Sequence, residues 1–131
     1  MPTDPLIRLR TICLALPEAT EKLAWGEPTF RVRDKLFAMH ASADNHHGAG
    51  RPAVWIKATP GNQDLLLQDD ATRYFKPPYV GPSGWIGVWL DRRPPWSAVQ
   101  GLLEDGYRLV APKRLLAVLD AESPSRPKRS G

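Results

Sequence analysis

Cysteine occurs once in the 131 residues, at Cys13, so the chain can build no internal disulfide framework. That usage fits a reducing compartment and makes a cytoplasmic location the expectation. Long hydrophobic runs are also missing: no apolar stretch approaches the roughly 18 residues of a membrane span. Met1-Pro2-Thr3-Asp4-Pro5 lacks the basic region and apolar run of a secretory leader, so none is expected.

The chemistry-bearing motifs are equally scarce. Ser42, Ser83 and Ser97 are present, but none lies in a G-x-S-x-G elbow. The glycines at Gly81, Gly84 and Gly87 precede a strand-like run, whereas a phosphate-cradling loop needs a helix N-terminus after it. His46 and His47 are adjacent, with Asp44 and His40 nearby, but this is no structural-zinc spacing and no cysteine pair accompanies it. Asp69-Asp70 reads as a solvated helix end. No catalytic residue, metal site or cofactor is expected, and the chain reads as a binding protein, not an enzyme.

What is present suits one globular domain. At 131 residues, with 42% hydrophobic and 24% charged residues, the chain can bury a substantial core. The net charge is +4. Asp120 to Gly131 holds two acids and three bases and contributes +1, leaving +3 on the rest, a mild excess compatible with a polyanionic partner. From Ala121 the chain is rich in Pro, Ser and bases and poor in apolar residues. The division expected is a domain over 1–119 and a disordered basic tail over 120–131.

Local signals give the element order. Asp4-Pro5 opens a helix by cap and proline, with Leu6, Leu9, Cys13 and Leu16 as its apolar stripe. Cys13 therefore reads as a packed thiol. A short strand is predicted from Thr20 to Trp25. Thr29 to Arg33 and Leu36 to His40 then form a hairpin about an Asp34-Lys35 turn, which sets Val32 against Phe37 and Phe30 against Met39. Ala53 to Lys57 is a further strand. Thr59-Pro60 starts a second helix whose apolar side is Leu65, Leu66 and Leu67. Pro94-Pro95 starts a third, stopped at Gly106, and Pro112 to Leu119 makes a fourth.

The run Trp85 to Leu90 after the Gly-Pro-Ser-Gly turn is the central strand. Ile86, Val88 and Leu90 share one face, and Trp85, Gly87 and Trp89 the other. The alternations add up to a two-faced sheet. Phe30, Val32, Phe37, Met39, Val54, Ile56, Ile86, Val88 and Leu90 face the helices. Arg31, Arg33, His40, Trp55, Lys57, Trp85 and Trp89 face away. Cations beside indoles suit a ligand with flat rings and negative charge, such as nucleic acid, so Arg31, Arg33, Trp55, Lys57, Trp85 and Trp89 are the candidate nucleic-acid contacts. Two other readings stay open. The basic stems could simply cover the tryptophans, or the aromatic face could take a protein or small ligand.

The runs Trp25 to Val32, Lys35 to Ala38, Tyr79 to Pro82, Gly84 to Val88 and Gly106 to Lys113 resemble the MmcQ/YjbR family, in order, over roughly residues 5 to 119. The resemblance implies an α+β fold: an antiparallel sheet with helices packed mainly on one face, related in shape to frataxin-like and secretion-chaperone-like domains. Family members are described as DNA-binding proteins with a double-wing arrangement, a function itself inferred, and the family supplies no established catalytic residues. DNA is thus the partner the resemblance implies. The frataxin-like shape raises iron binding as a rival, but the acidic first helix it needs is replaced here by Arg8 and Arg10 with only Asp4 at the cap.

Overall fold

The structure is a computed structural model and describes residues 4–43, 50–91 and 93–122. The elements run α1 (Pro5–Leu14), β1 (Ala19–Ala24), β2 (Glu27–Val32), β3 (Lys35–Ala41), β4 (Ala53–Ile56), α2 (Pro60–Asp69), β5 (Tyr74–Phe75), β6 (Ile86–Trp89), α3 (Trp96–Val110) and α4 (Lys113–Glu122). The six strands form one antiparallel sheet in the order β1-β2-β3-β4-β6-β5. The loop histidines His46 and His47 lie outside the described residues, as do residues 123–131 of the expected tail. Asp120 to Glu122, assigned to that tail from sequence, instead complete α4.

Cap chemistry sets the helix starts. Asp4 accepts from the Leu6 N–H at 2.9 Å, and Thr59 Oγ1 from the Asn62 N–H at 3.2 Å, each with proline at the first helical position. All the buried apolar side chains of α1, α3 and α4 enter one core. Leu9, Cys13, Val99, Leu103, Tyr107, Leu115 and Leu119 pack there against Phe30, Val32, Val54, Ile56, Ile86, Val88 and Leu90 of the sheet. The Tyr107 hydroxyl crosses that core to donate to the Pro17 carbonyl at 2.7 Å.

The helices therefore cover one sheet face. A second apolar cluster on the opposite face consists, among the described residues, of Met39, Ala41, Ala53, Trp55 and Trp85, bordered by Leu36, Phe75, Val80 and Trp89, none of them helical.

The β2–β3 hairpin departs from the predicted register. Its turn is Arg33-Asp34, not Asp34-Lys35: both have positive φ, 52° and 64°, the backbone of a type I′ turn. The pairs are Val32 with Lys35, Arg31 with Leu36, Phe30 with Ala38 and Thr29 with Met39, so Phe37 is an extra, bulged residue. One inserted residue inverts the alternation beyond it. Phe37 and its neighbour Ala38 both enter the helix-side core. Met39, expected there, turns to the other face opposite Trp55. His40, expected beside the arginines, pairs with the core residue Val54.

Two helix expectations also change. Gly106 is not a stop; α3 continues through it to Val110. A Cβ at 106 would come within 2.9 Å of the Lys57 carbonyl, so glycine here permits close approach of helix to sheet. In α2, Leu65 is exposed while Leu66 and Leu67 are half-buried, and the buried side chain is Gln63. Three consecutive residues sweep most of a helical turn and cannot all face the core.

Candidate functional site

The helix-free face carries a pocket of about 410 Å³. Its buried wall is Met39 from β3, Trp55 from β4 and Trp85 at the entry to β6, with half-buried Leu36 beside them. Its rim is Trp25, Tyr79 and Val80. Trp25 is 61% and Tyr79 73% exposed, so the mouth is aromatic and open to solvent. Tyr79 lies over Trp55 with ring centroids 6.5 Å apart and planes tilted by 45°.

Two chain segments hold that rim. The first is the two-residue turn Trp25-Gly26 between β1 and β2, with φ values of 54° and 77°, again the type I′ signature. The second is the stretch from Pro77 to Trp85, which folds over the sheet through a 3₁₀ turn at Gly81–Ser83. The Gly81 N–H donates to the Pro77 carbonyl at 3.0 Å, and Gly84 closes the turn at φ 100°. A Cβ at Gly84 would lie 2.7 Å from Pro60 N, which is why the segment can lean on the start of α2. The buried Gln63 amide anchors it from below, donating to the Gly81 carbonyl at 2.8 Å and the Trp85 carbonyl at 2.6 Å. The buried residue of α2 thus serves the pocket.

The six residues singled out from sequence divide. Trp55 and Trp85 meet in the pocket wall, and Lys57 places its ammonium 5.9 Å from the Trp85 ring centroid. Arg31 sits opposite the lining residue Leu36, its Nε donating to Thr29 Oγ1 at 3.2 Å. Arg33 lies in the β2–β3 turn and pairs with Glu18 at 3.3 Å. Trp89 belongs to a neighbouring stack: Phe75 lies against it at 4.1 Å, and the Arg51 guanidinium caps its ring at 4.3 Å while bonding Asp91 through two 2.9 Å contacts. The gap that Gly87 leaves between the two indoles is filled by the Phe75 ring, so Trp85 and Trp89 do not form one open platform.

The remaining lining residues were not legible as site residues. Met39 was assigned to the wrong face by the missed bulge. Trp25-Gly26 carried a signal, since a glycine-containing pair between two alternating runs is a hairpin turn. Tyr79 and Val80 carried none, because their position depends on how Pro77 to Trp85 packs over the sheet.

A second polar group lies near the end of β3. Buried Glu27 accepts from the Ser42 N–H at 2.7 Å and from Ser42 Oγ at 3.0 Å, and its other oxygen is 3.4 Å from His40 Nδ1. The partners pin the chain where it leaves β3 for the loop. Among the described residues, no three His, Cys, Asp or Glu side chains converge as metal ligands, and no helix is long and apolar enough to cross a membrane.

The architecture has a counterpart among solved structures. The crystal structure of Deinococcus radiodurans protein DR2400, with a DUF419 domain, superposes with a TM-score of 0.69 at 20% identity, covering 92% of this chain and 91% of that one. The likeness is one of fold. No curated protein matches the chain. The YjbR family model matches residues 14–109, which take in the whole sheet and most of α3, and the chain therefore belongs to the YjbR family.

Proposed function

We propose that this YjbR-family domain is a non-catalytic binding module whose ligand inserts a flat apolar group into the pocket on the helix-free sheet face. The observation carrying this reading is the lining: four aromatic rings with Leu36, Met39 and Val80 around about 410 Å³. That volume lies in the range of small-molecule sites, and so does the mostly apolar wall. Among the described residues the lining holds one hydroxyl, on Tyr79, and no carboxylate, imidazole or thiol, so those residues offer binding surface and little acid–base chemistry.

The test is calorimetric titration of the protein with neutral bicyclic aromatics, compared with the variants Leu36→Trp and Tyr79→Ala. The first fills the pocket from a half-buried position, and the second removes an exposed rim ring. Both should weaken binding at least tenfold while the folded spectrum is retained. Unchanged binding in both would reject the pocket.

Nucleic acid remains the second reading, favoured by one observation: Lys57 and Arg31 lie on the same side as the pocket. An unstacked base would enter the pocket and phosphates would meet those two cations. Arg33 and Trp89 have no part in this version, because Glu18 engages one and Phe75 with Arg51 the other. Anisotropy with a short single-stranded oligonucleotide at two salt concentrations tests it, since each phosphate contact adds roughly −0.7 to the logarithmic salt slope. Arg31→Ala should flatten that slope, and salt-independent binding would discard the reading.

A further inference from the structure

The proposed pocket leaves its ligand's charge open, and the surrounding chemistry selects one. We infer that the ligand is a small aromatic acid, its ring held between the rim and wall aromatics and its anionic group turned toward Lys57. This rests on the binding reading above and adds the class of ligand. Four aromatic rings alone would also suit a cation, because their faces are electron-rich. Yet among the described residues the lining carries no carboxylate to complete such a cage, and the Lys57 ammonium stands next to it, 5.9 Å from the Trp85 ring. A cationic guest would be repelled by Lys57, and a neutral one would gain nothing from it. An aromatic anion uses both the rings and the ammonium.

The backbone of the rim supplies an independent argument that the rings are there for contact. Trp25 and Tyr79 both sit in the left-handed region, at φ 54° and 65°. Residues with a Cβ pay strain there that glycine does not, and asparagine tolerates the region best among the others. Two large aromatic side chains therefore occupy costly backbone positions, both at the mouth of the same pocket, and both remain mostly exposed. Strain of this kind collects at functional sites, and of the six non-glycine residues with positive φ among the described residues Trp25 and Tyr79 are the two that line the pocket.

The supply of cations favours a small acid over a polyanion. Arg33 is paired with Glu18, Arg51 with Asp91, and Arg10 with Glu21. Lys57 beside Trp85 and Arg31 opposite Leu36 suffice for the single charge of a small acid, whereas a nucleic-acid strand needs a longer track of cations.

The experiment is isothermal titration with three probes of one shape: 2-naphthoate, 2-naphthamide and 2-naphthylmethylammonium. Naphthoate should bind about fivefold more tightly than naphthamide, as expected for a partly exposed ion pair, and the ammonium probe should bind weakest. Lys57→Met keeps most of the apolar stem and should erase the naphthoate advantage without changing the naphthamide affinity. Lys57→Glu should reverse the order of the two charged probes. Equal binding of all three probes by the native protein would overturn the inference while leaving the pocket reading intact. Failure of all three probes to bind would overturn both. A single-stranded oligonucleotide that binds more tightly than naphthoate, and is lost in Lys57→Met, would also overturn it by assigning the pocket to nucleic acid.

Discussion

Replacing Gly106 with alanine should destabilise the protein even though alanine is the better helix former. Inside α3 the change gains about 1 kcal/mol of intrinsic helix propensity. Against this, the new Cβ would lie 2.9 Å from the Lys57 carbonyl oxygen, 3.1 Å from Ile56 Cγ2 and 3.3 Å from the Phe37 carbonyl oxygen. Two of those three atoms are backbone, and the Phe37 carbonyl already accepts the Lys57 N–H at 2.9 Å, so neither can yield without disturbing the β3–β4 ladder. Pushing α3 outward loosens the contacts of Leu103 and Tyr107, at an overpacking cost of about 2–3 kcal/mol. The net loss is about 1–2 kcal/mol, or roughly 5 °C in Tm for a domain of this size. Urea unfolding followed by circular dichroism measures it, with an unchanged m-value as the check that only stability moved. The matched control is Gly61→Ala in α2, where no atom lies within 4 Å of the added Cβ and the helix gain of up to about 1 kcal/mol stands unopposed. One substitution type, two helices and opposite signs are expected. A Gly106→Ala protein as stable as the native one would refute the close-approach argument. Lys57 borders this contact, so Gly106→Ala should also weaken whatever binds beside Trp85.

Three further outcomes follow from particular contacts. Gln63→Ala removes both donors to the Gly81 and Trp85 carbonyls; it should cost about 1–3 kcal/mol and loosen the rim, seen as weaker binding of an aromatic probe alongside a lower urea midpoint. Cys13 is fully buried, and desolvation pushes its thiol well above the ordinary range; it should resist a chromogenic disulfide reagent in the folded protein and react only on denaturation, so prompt native-state labelling would contradict the packed assignment. The Glu18 carboxyl is held below its usual range, chiefly by its hydrogen bond from Arg114 at 2.8 Å. Its contribution to stability is therefore present above the ordinary glutamate range and lost as pH falls through the lowered value. Arg114→Ala should accordingly lower stability near neutrality and leave it little changed in strong acid, as read by urea midpoints across that range.

Signals confined to a few neighbouring residues were readable in the chain itself. Asp4-Pro5 and Thr59-Pro60 start helices because cap and proline act within one turn. Val54, Ile56, Ile86, Val88 and Leu90 reach the helix-side core because an unbroken strand alternates by geometry alone. Trp55 and Trp85 fall on the opposite face for the same reason. Cys13 is buried because its position in the stripe of α1 is a matter of helical period.

What only the tertiary structure decided involves one residue's space being claimed by another distant in the chain. The bulge at Phe37 reverses every facing beyond it, sending Met39 to the pocket and His40 to the core side, and no local pattern announces one extra residue in a strand. Gly106 looked like a stop because glycine usually ends helices; what retains it inside α3 is the backbone of Phe37 and Lys57 pressed against it. Gln63 is buried because the Gly81 and Trp85 carbonyls, distant in the chain, accept from its amide. The pocket was hidden for the same reason. Its wall was visible as alternating tryptophans, but its rim exists only because Trp25 and Tyr79, fifty-four positions apart, are brought to the same pocket by two separate turns.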